Sequence, residues 1–77
     1  MDIIYKNDTL FVELVGDVDT LTVSEMQKKL FSVLDQYDVE NVVINVRGIF
    51  NLDRKIFNTV INEYHKNYRG KIMIESK

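Results

Sequence analysis

The sequence predicts an α/β domain, a mixed β-sheet of about four strands in the order β-β-α-β-α-β with two main helices. Three observations carry this. Val42, Val43, Ile44 and Val46 form a β-branched apolar run of strand length. Downstream, Ile56, Phe57, Val60, Ile61 and Tyr64 recur at the three- and four-residue spacing of one helical face. Upstream, Val23, Met26, Leu30, Val33, Leu34 and Tyr37 trace a second such stripe. A strand that runs through a short loop into a helix places that loop at the carboxyl edge of the sheet and at the positive end of the helix, where α/β proteins usually do their work.

The first strand is the apolar segment from Asp2 to Tyr5, followed by Lys6-Asn7-Asp8, a turn of residues that tolerate left-handed geometry. Thr9 to Val15 alternates, with Leu10, Val12 and Leu14 on one face and Thr9, Phe11, Glu13 and Val15 on the other. The two strands are expected to pair as an antiparallel hairpin. Phe11 and Val15 beside Glu13 mark the second face as partly covered or sticky.

Gly16-Asp17-Val18-Asp19 ends the second strand, and Thr20-Leu21 leads into a helix. Thr22 with Glu25 three residues later reads as a capping box, and Leu21 before it as a hydrophobic staple onto Met26. Glu25, Gln27, Lys28, Lys29, Asp35 and Gln36 are expected to face water, with Phe31 beside the stripe and the helix stopping near Asp38. The central strand follows Val39-Glu40-Asn41, and after a turn at Gly48 the second helix opens at Asp53. Gly70 reads as its C-terminal glycine, with Lys66 and Arg69 against the negative end of the dipole. Lys71 to Glu75 is the last strand. Strands separated by helices are parallel neighbours joined by right-handed crossovers, so the sheet combines a hairpin with parallel units.

A chain of 77 residues makes one domain, 1–77, with a small core. Hydrophobic residues at 45% and charged residues at 29%, without proline, are the composition of a folded globular chain. No cysteine means no disulfide, thiolate nucleophile or cysteine metal site, which suits a reducing cytoplasm. The single histidine, His65, leaves few zinc or triad arrangements, so no cofactor and no metal is expected. A net charge of −2 without a basic stripe argues against nucleic acid, and short apolar runs with no signal-like start argue against secretion and direct membrane insertion.

No nucleophile stands beside a base and the three glycines lie far apart, so the sequence reads as a non-enzyme. Asp53 reads as a helix N-cap and as a binding residue, two roles that coexist. Asp17 and Asp19 read as turn residues, with cation binding as the alternative. His65 reads as a surface histidine. Thr20, Thr22 and Ser24 read as capping and turn residues, with phosphorylation as the alternative. Phe11, Phe31, Phe50 and Tyr68 fit a surface that docks another protein, since aromatic anchors dominate interface energetics; Phe50 packed under its own loop is the alternative.

Gly16-Asp17-Val18-Asp19 ahead of a helix, and Val43-Ile44-Asn45-Val46-Arg47-Gly48-Ile49-Phe50-Asn51-Leu52-Asp53 ahead of a helix that ends in Tyr64-His65-Lys66, together resemble the STAS domain. This is the fold of bacterial anti-sigma factor antagonists and of the cytoplasmic tails of sulfate transporters, and the resemblance spans the second strand to the last. In that family an aspartate at the helix start is followed by two serines and a glycine, and a kinase-like anti-sigma factor phosphorylates one serine. Here Asp53 is followed by Arg54, Lys55 and Ile56, with Asn58 and Asn62 further along, so the phosphoacceptor is missing. The chain also stops after its fourth strand, where family members usually add another helix, so on this resemblance it looks like a shortened, divergent STAS domain. A phosphoserine would be stabilised at a helix N-terminus, whereas Arg54 and Lys55 there cost about 0.3–1 kcal/mol each. Attraction to an acidic partner or a bound anion would explain them; simple solvation beside Asp53 is the alternative.

The resemblance implies a protein-interaction module resembling an anti-sigma factor antagonist. It would bind an anti-sigma factor or related kinase-like domain through Asp17, Asp19, Thr20, Phe50, Asn51, Asp53, Arg54, Lys55 and Asn58, and would not be switched at the usual serine. The alternative is a self-associating scaffold, a homo-oligomer that buries its open sheet edge, or an accessory subunit of a membrane transporter complex. A phosphate- or nucleotide-binding domain using Arg54 and Lys55 is a third reading.

Overall fold

A computed structural model describes residues 2–16, 20–47 and 54–76, and for Arg54 and Ser76 the backbone alone. The elements are β1 (Asp2–Lys6), β2 (Thr9–Val15), α1 (Thr20–Gln36), β3 (Asn41–Arg47), α2 (Arg54–Asn67) and β4 (Lys71–Ser76). The chain thus has the α/β order β-β-α-β-α-β, with the four strands lying side by side as β1-β2-β3-β4. β1 and β2 pair antiparallel, while β2–β3 and β3–β4 pair parallel, so the sheet is mixed.

The hairpin turn is made by Asn7 at φ 53° and Asp8 at φ 59°. Two successive left-handed residues give a tight connection whose twist matches that of the paired strands, and Asn and Asp tolerate that conformation better than most side chains. Alternation then sorts β2 and β3: Leu10, Val12, Leu14, Val42, Ile44 and Val46 are all at most 2% exposed. Both crossovers step in the same direction across the sheet, and with the usual right hand that puts both helices on this one face. Accordingly Val23, Met26, Leu30 and Leu34 of α1 and Phe57, Val60 and Tyr64 of α2 join the same strand residues in a single core. The other face of the sheet is opposite to both helices.

Several expectations for the helices are corrected. α1 opens at Thr20, two residues ahead of Thr22, so Thr22 and Glu25 lie inside the helix and do not form the box that starts it. Successive helical residues turn by about 100°, which rotates Leu21 about 200° from Val23 and away from the core. Leu21 is 67% exposed and is not a staple on the fully buried Met26. α1 ends at Gln36, and the Tyr37 amide donates to the Val33 carbonyl at 3.0 Å as the last turn closes; Tyr37 itself is 60% exposed and leaves the apolar stripe. Phe31 and Tyr68 are half-buried against the core and pack on each other, with ring centroids 5.3 Å apart, so they hold the fold together and are not exposed anchors. Gly70 lies three residues beyond the end of α2, and the last helical turn closes through the Tyr68 amide on the Tyr64 carbonyl at 2.8 Å.

Candidate functional site

Each helix begins where a parallel strand has just ended, so the amino ends of α1 and α2 share the carboxyl edge of the sheet. At the start of that edge Gly16 adopts φ +90°, and its amide donates to the Arg47 carbonyl at 3.2 Å. The bond holds the exit of β2 against the exit of β3. α2 starts at Arg54, which places Arg54 and Lys55 in its first turn, and no acidic residue shares that turn.

Between the two helices runs an open groove of about 380 Å³. Thr20, Val23, Ser24 and Gln27 of α1 form one wall, at the spacing of neighbouring positions on one helical face. Lys55, Ile56, Thr59 and Val60 of α2 form the other. Buried Val23 and Val60 with half-buried Ile56 make an apolar floor, and exposed Thr20, Ser24, Lys55 and Thr59 make a polar rim. The Thr59 hydroxyl donates to the Lys55 carbonyl at 3.3 Å, a back-bond within the first turns of α2. Such an arrangement suits an apolar anchor from another molecule, with hydroxyls and a cation to orient it.

Of the residues predicted from sequence, Thr20 and Lys55 come together in this groove, while Asn58 is exposed on α2 outside its lining. Arg54 heads α2 by its backbone. Asp17, Asp19, Phe50, Asn51 and Asp53, and the turn at Gly48, lie outside the described residues. Sequence reasoning missed Ser24, Gln27, Ile56 and Thr59 as groove residues. The available signal was the Thr20, Val23, Ser24, Gln27 spacing, which flanks the core stripe and so borders any neighbouring helix.

The opposite, amino edge of the sheet holds a broad polar depression of about 780 Å³ lined by Asp8, Asp38, Val39, Glu40, Asn41, Arg69, Gly70 and Lys71. Its backbone is tied internally, since the Asp8 carbonyl accepts from the Glu40 and Asn41 amides at 3.0 and 3.1 Å. The Tyr5 hydroxyl donates to the Asp38 carbonyl at 3.0 Å and lies 3.3 Å from Asp8 Oδ1. Desolvation first, then the neighbouring Asp8 carboxylate, raises the Tyr5 pKa above its usual value. These bonds knit the loops of the amino edge, and none of the predicted site residues is there. Among the described residues no cluster of three or more His, Asp or Glu could hold a metal ion, and no helix is long and apolar enough to cross a membrane.

Compared with known proteins, the chain matches no family model, no curated protein and no solved structure.

Proposed function

We propose that this chain is a non-catalytic, STAS-like interaction module of a bacterial cytoplasm. In this reading it binds a regulatory, kinase-like partner through the carboxyl edge of its sheet and the amino ends of its helices. The observation that supports the reading best is the groove between α1 and α2, with Val23, Ile56 and Val60 beneath Thr20, Ser24, Thr59 and Lys55. An aliphatic or aromatic side chain of the partner would fill the floor, and an acidic group beside it would meet the cationic first turn of α2. The partner class comes from the resemblance of the strand-to-helix segments to anti-sigma factor antagonists. Because Arg54 and Lys55 stand where relatives carry serines, binding would be set by abundance and not by phosphorylation at that place. Accessory membership of a membrane transporter complex rests on the resemblance alone.

Isothermal titration against a kinase-like anti-sigma factor domain from the same organism tests this. The expected result is saturable binding that Ser24→Arg, which obstructs the groove, weakens by roughly tenfold or more. Absence of binding, or binding indifferent to Ser24→Arg and Lys55→Glu, would overturn it.

A further inference from the structure

The sheet face turned away from the helices carries a second surface, separate from the groove. The strand register sorts its side chains into three rows that each cross all four strands, with the pair Val15 and Arg47 beyond them on β2 and β3. The middle row is Ile4, Phe11, Val43 and Met73, entirely apolar. On one side lies Lys6, Thr9, Asn41 and Lys71, whose charged members are both basic. On the other lies Asp2, Glu13, Asn45 and Glu75, whose charged members are all acidic. Ile4, Phe11 and Met73 are 59%, 42% and 53% exposed. A continuous exposed apolar band on a small folded chain marks an interaction surface more often than chance solvent exposure.

We propose that this face is the interface of a two-fold symmetric dimer, in which a second copy of the chain covers it. The charge pattern selects both the occupant and the axis. A two-fold axis lying in the interface along the apolar row reverses strand direction, so it stacks apolar row on apolar row and turns each acidic row onto the other copy's basic row. Lys6 then faces Asp2 of the partner subunit, and Lys71 faces Glu75 of the partner subunit. An axis parallel to the strands would instead stack acid on acid and base on base, which is repulsive. Within one copy Arg47 Nη1 lies 3.7 Å from Glu13 Oε1, so the carboxylate in the middle of the acidic row has a cation in its own chain. The pairs that cross the interface therefore sit at its two ends, on β1 and β4.

The dimensions agree. Charged rows lie about 6.7 Å to either side of the apolar row, and aligned sheets pack about 10 Å apart, within reach of lysine and glutamate side chains. Four strands span about 19 Å, and a patch about 20 Å long covers roughly 380 Å² on each copy, below the size of stable complexes, so the dimer is a weak and reversible one. The contact uses the same patch on both copies and closes on itself. Both helix layers face outward, which presents two grooves to a partner and makes the assembly bivalent.

Sedimentation equilibrium of the full chain, from about 10 to about 500 µM, tests the proposal. The expected result is a reversible monomer–dimer equilibrium, abolished by Met73→Asp with the circular dichroism spectrum unchanged. Lys6→Glu with Lys71→Glu weakens association by roughly tenfold or more, and adding Asp2→Lys with Glu75→Lys to that variant restores it. The four changes together return the net charge to −2. Asp2→Lys with Glu75→Lys alone, at +2, is therefore the control: crosswise pairing predicts weakened association there, and overall repulsion predicts none. A monomer throughout the range overturns the proposal. So does a dimer that ignores Met73→Asp and the charge reversals, as pairing through the β4 edge would.

Discussion

The Tyr68 hydroxyl donates a 2.6 Å hydrogen bond to Oδ1 of Asp35, which ties the segment after α2 to the last turn of α1. The same hydroxyl lies 3.4 Å from the Phe31 carbonyl, and the Tyr68 ring stacks on Tyr64 with centroids 5.7 Å apart. One residue thus joins the end of α1 to the segment that follows α2. Tyr68→Phe keeps the ring contacts and removes the bond. The expected loss is about 1 kcal/mol, read from the urea midpoint.

Desolvation, followed by the hydrogen bond to Asp35 and that carboxylate's charge, pushes the Tyr68 pKa up to about 12. A folded-state value above the unfolded one means that the neutral phenol is favoured by folding. Its contribution is complete below the ordinary tyrosine pKa of about 10 and disappears as pH rises toward 12. The stability difference between wild type and Tyr68→Phe is therefore constant from pH 7 to 9 and shrinks between about pH 10 and pH 12. A difference that grows over that interval would show that the tyrosinate is the favoured form.

Gly70 has φ +140°, and a Cβ there would run into the Glu40 carbonyl oxygen and come within 2.7 Å of the Tyr64 hydroxyl. The Glu40 carbonyl already accepts from the Lys71 amide at 3.0 Å as β4 begins, so it cannot move without cost to the sheet. Gly70→Ala is expected to destabilise by about 2–4 kcal/mol, and Tyr64→Phe in the same chain to recover part of it. Gly16, at φ +90° with none of the described residues within 4 Å of its would-be Cβ, provides the comparison. Gly16→Ala should cost about 1–2 kcal/mol, from backbone strain alone. Equal losses at the two sites would remove the steric argument.

Leu21 and Met26 separate two accounts of how α1 begins. Leu21→Ala, at a position 67% exposed, should change stability by less than about 0.5 kcal/mol. Met26→Ala, at a position with no exposure, should cost about 2–5 kcal/mol. A large loss at Leu21 would reinstate a staple between the two.

The strands were readable because alternation and burial coincide: Leu10, Val12 and Leu14 are the buried residues of β2, and their neighbours are not. α2 was readable for the same reason in its own period, with Phe57, Val60 and Tyr64 inward. The start of α1 was misread because a local Thr22-x-x-Glu25 pattern is only one of several ways to begin a helix, and the core stripe from Val23 onward is compatible with an earlier first turn. Tyr68 with Asp35, and Gly70 with Glu40, are partners across the fold, and no spacing rule links them. Phe11 and Val15, exposed apolar residues of the outer sheet face, were legible in the alternation of β2. The three rows of that face were not, because they depend on the registers that align Ile4 and Met73 with Phe11. At the candidate site the helix-start cations were legible, but the groove beside them needed the two helices in place.

Whether partners dock at the helix tips is measured most directly by site-specific photo-cross-linking. Benzoylphenylalanine is placed in turn at Thr20, Asn58 and Ser32, and the chain is irradiated with a kinase-like anti-sigma factor domain. Thr20 lines the groove, Asn58 is exposed outside the lining one turn from the start of α2, and Ser32 is exposed outside the lining about three turns from the start of α1. The account predicts strong cross-links from Thr20 and Asn58 and little from Ser32. Equal yields at all three positions, or capture from Ser32 alone, would contradict it.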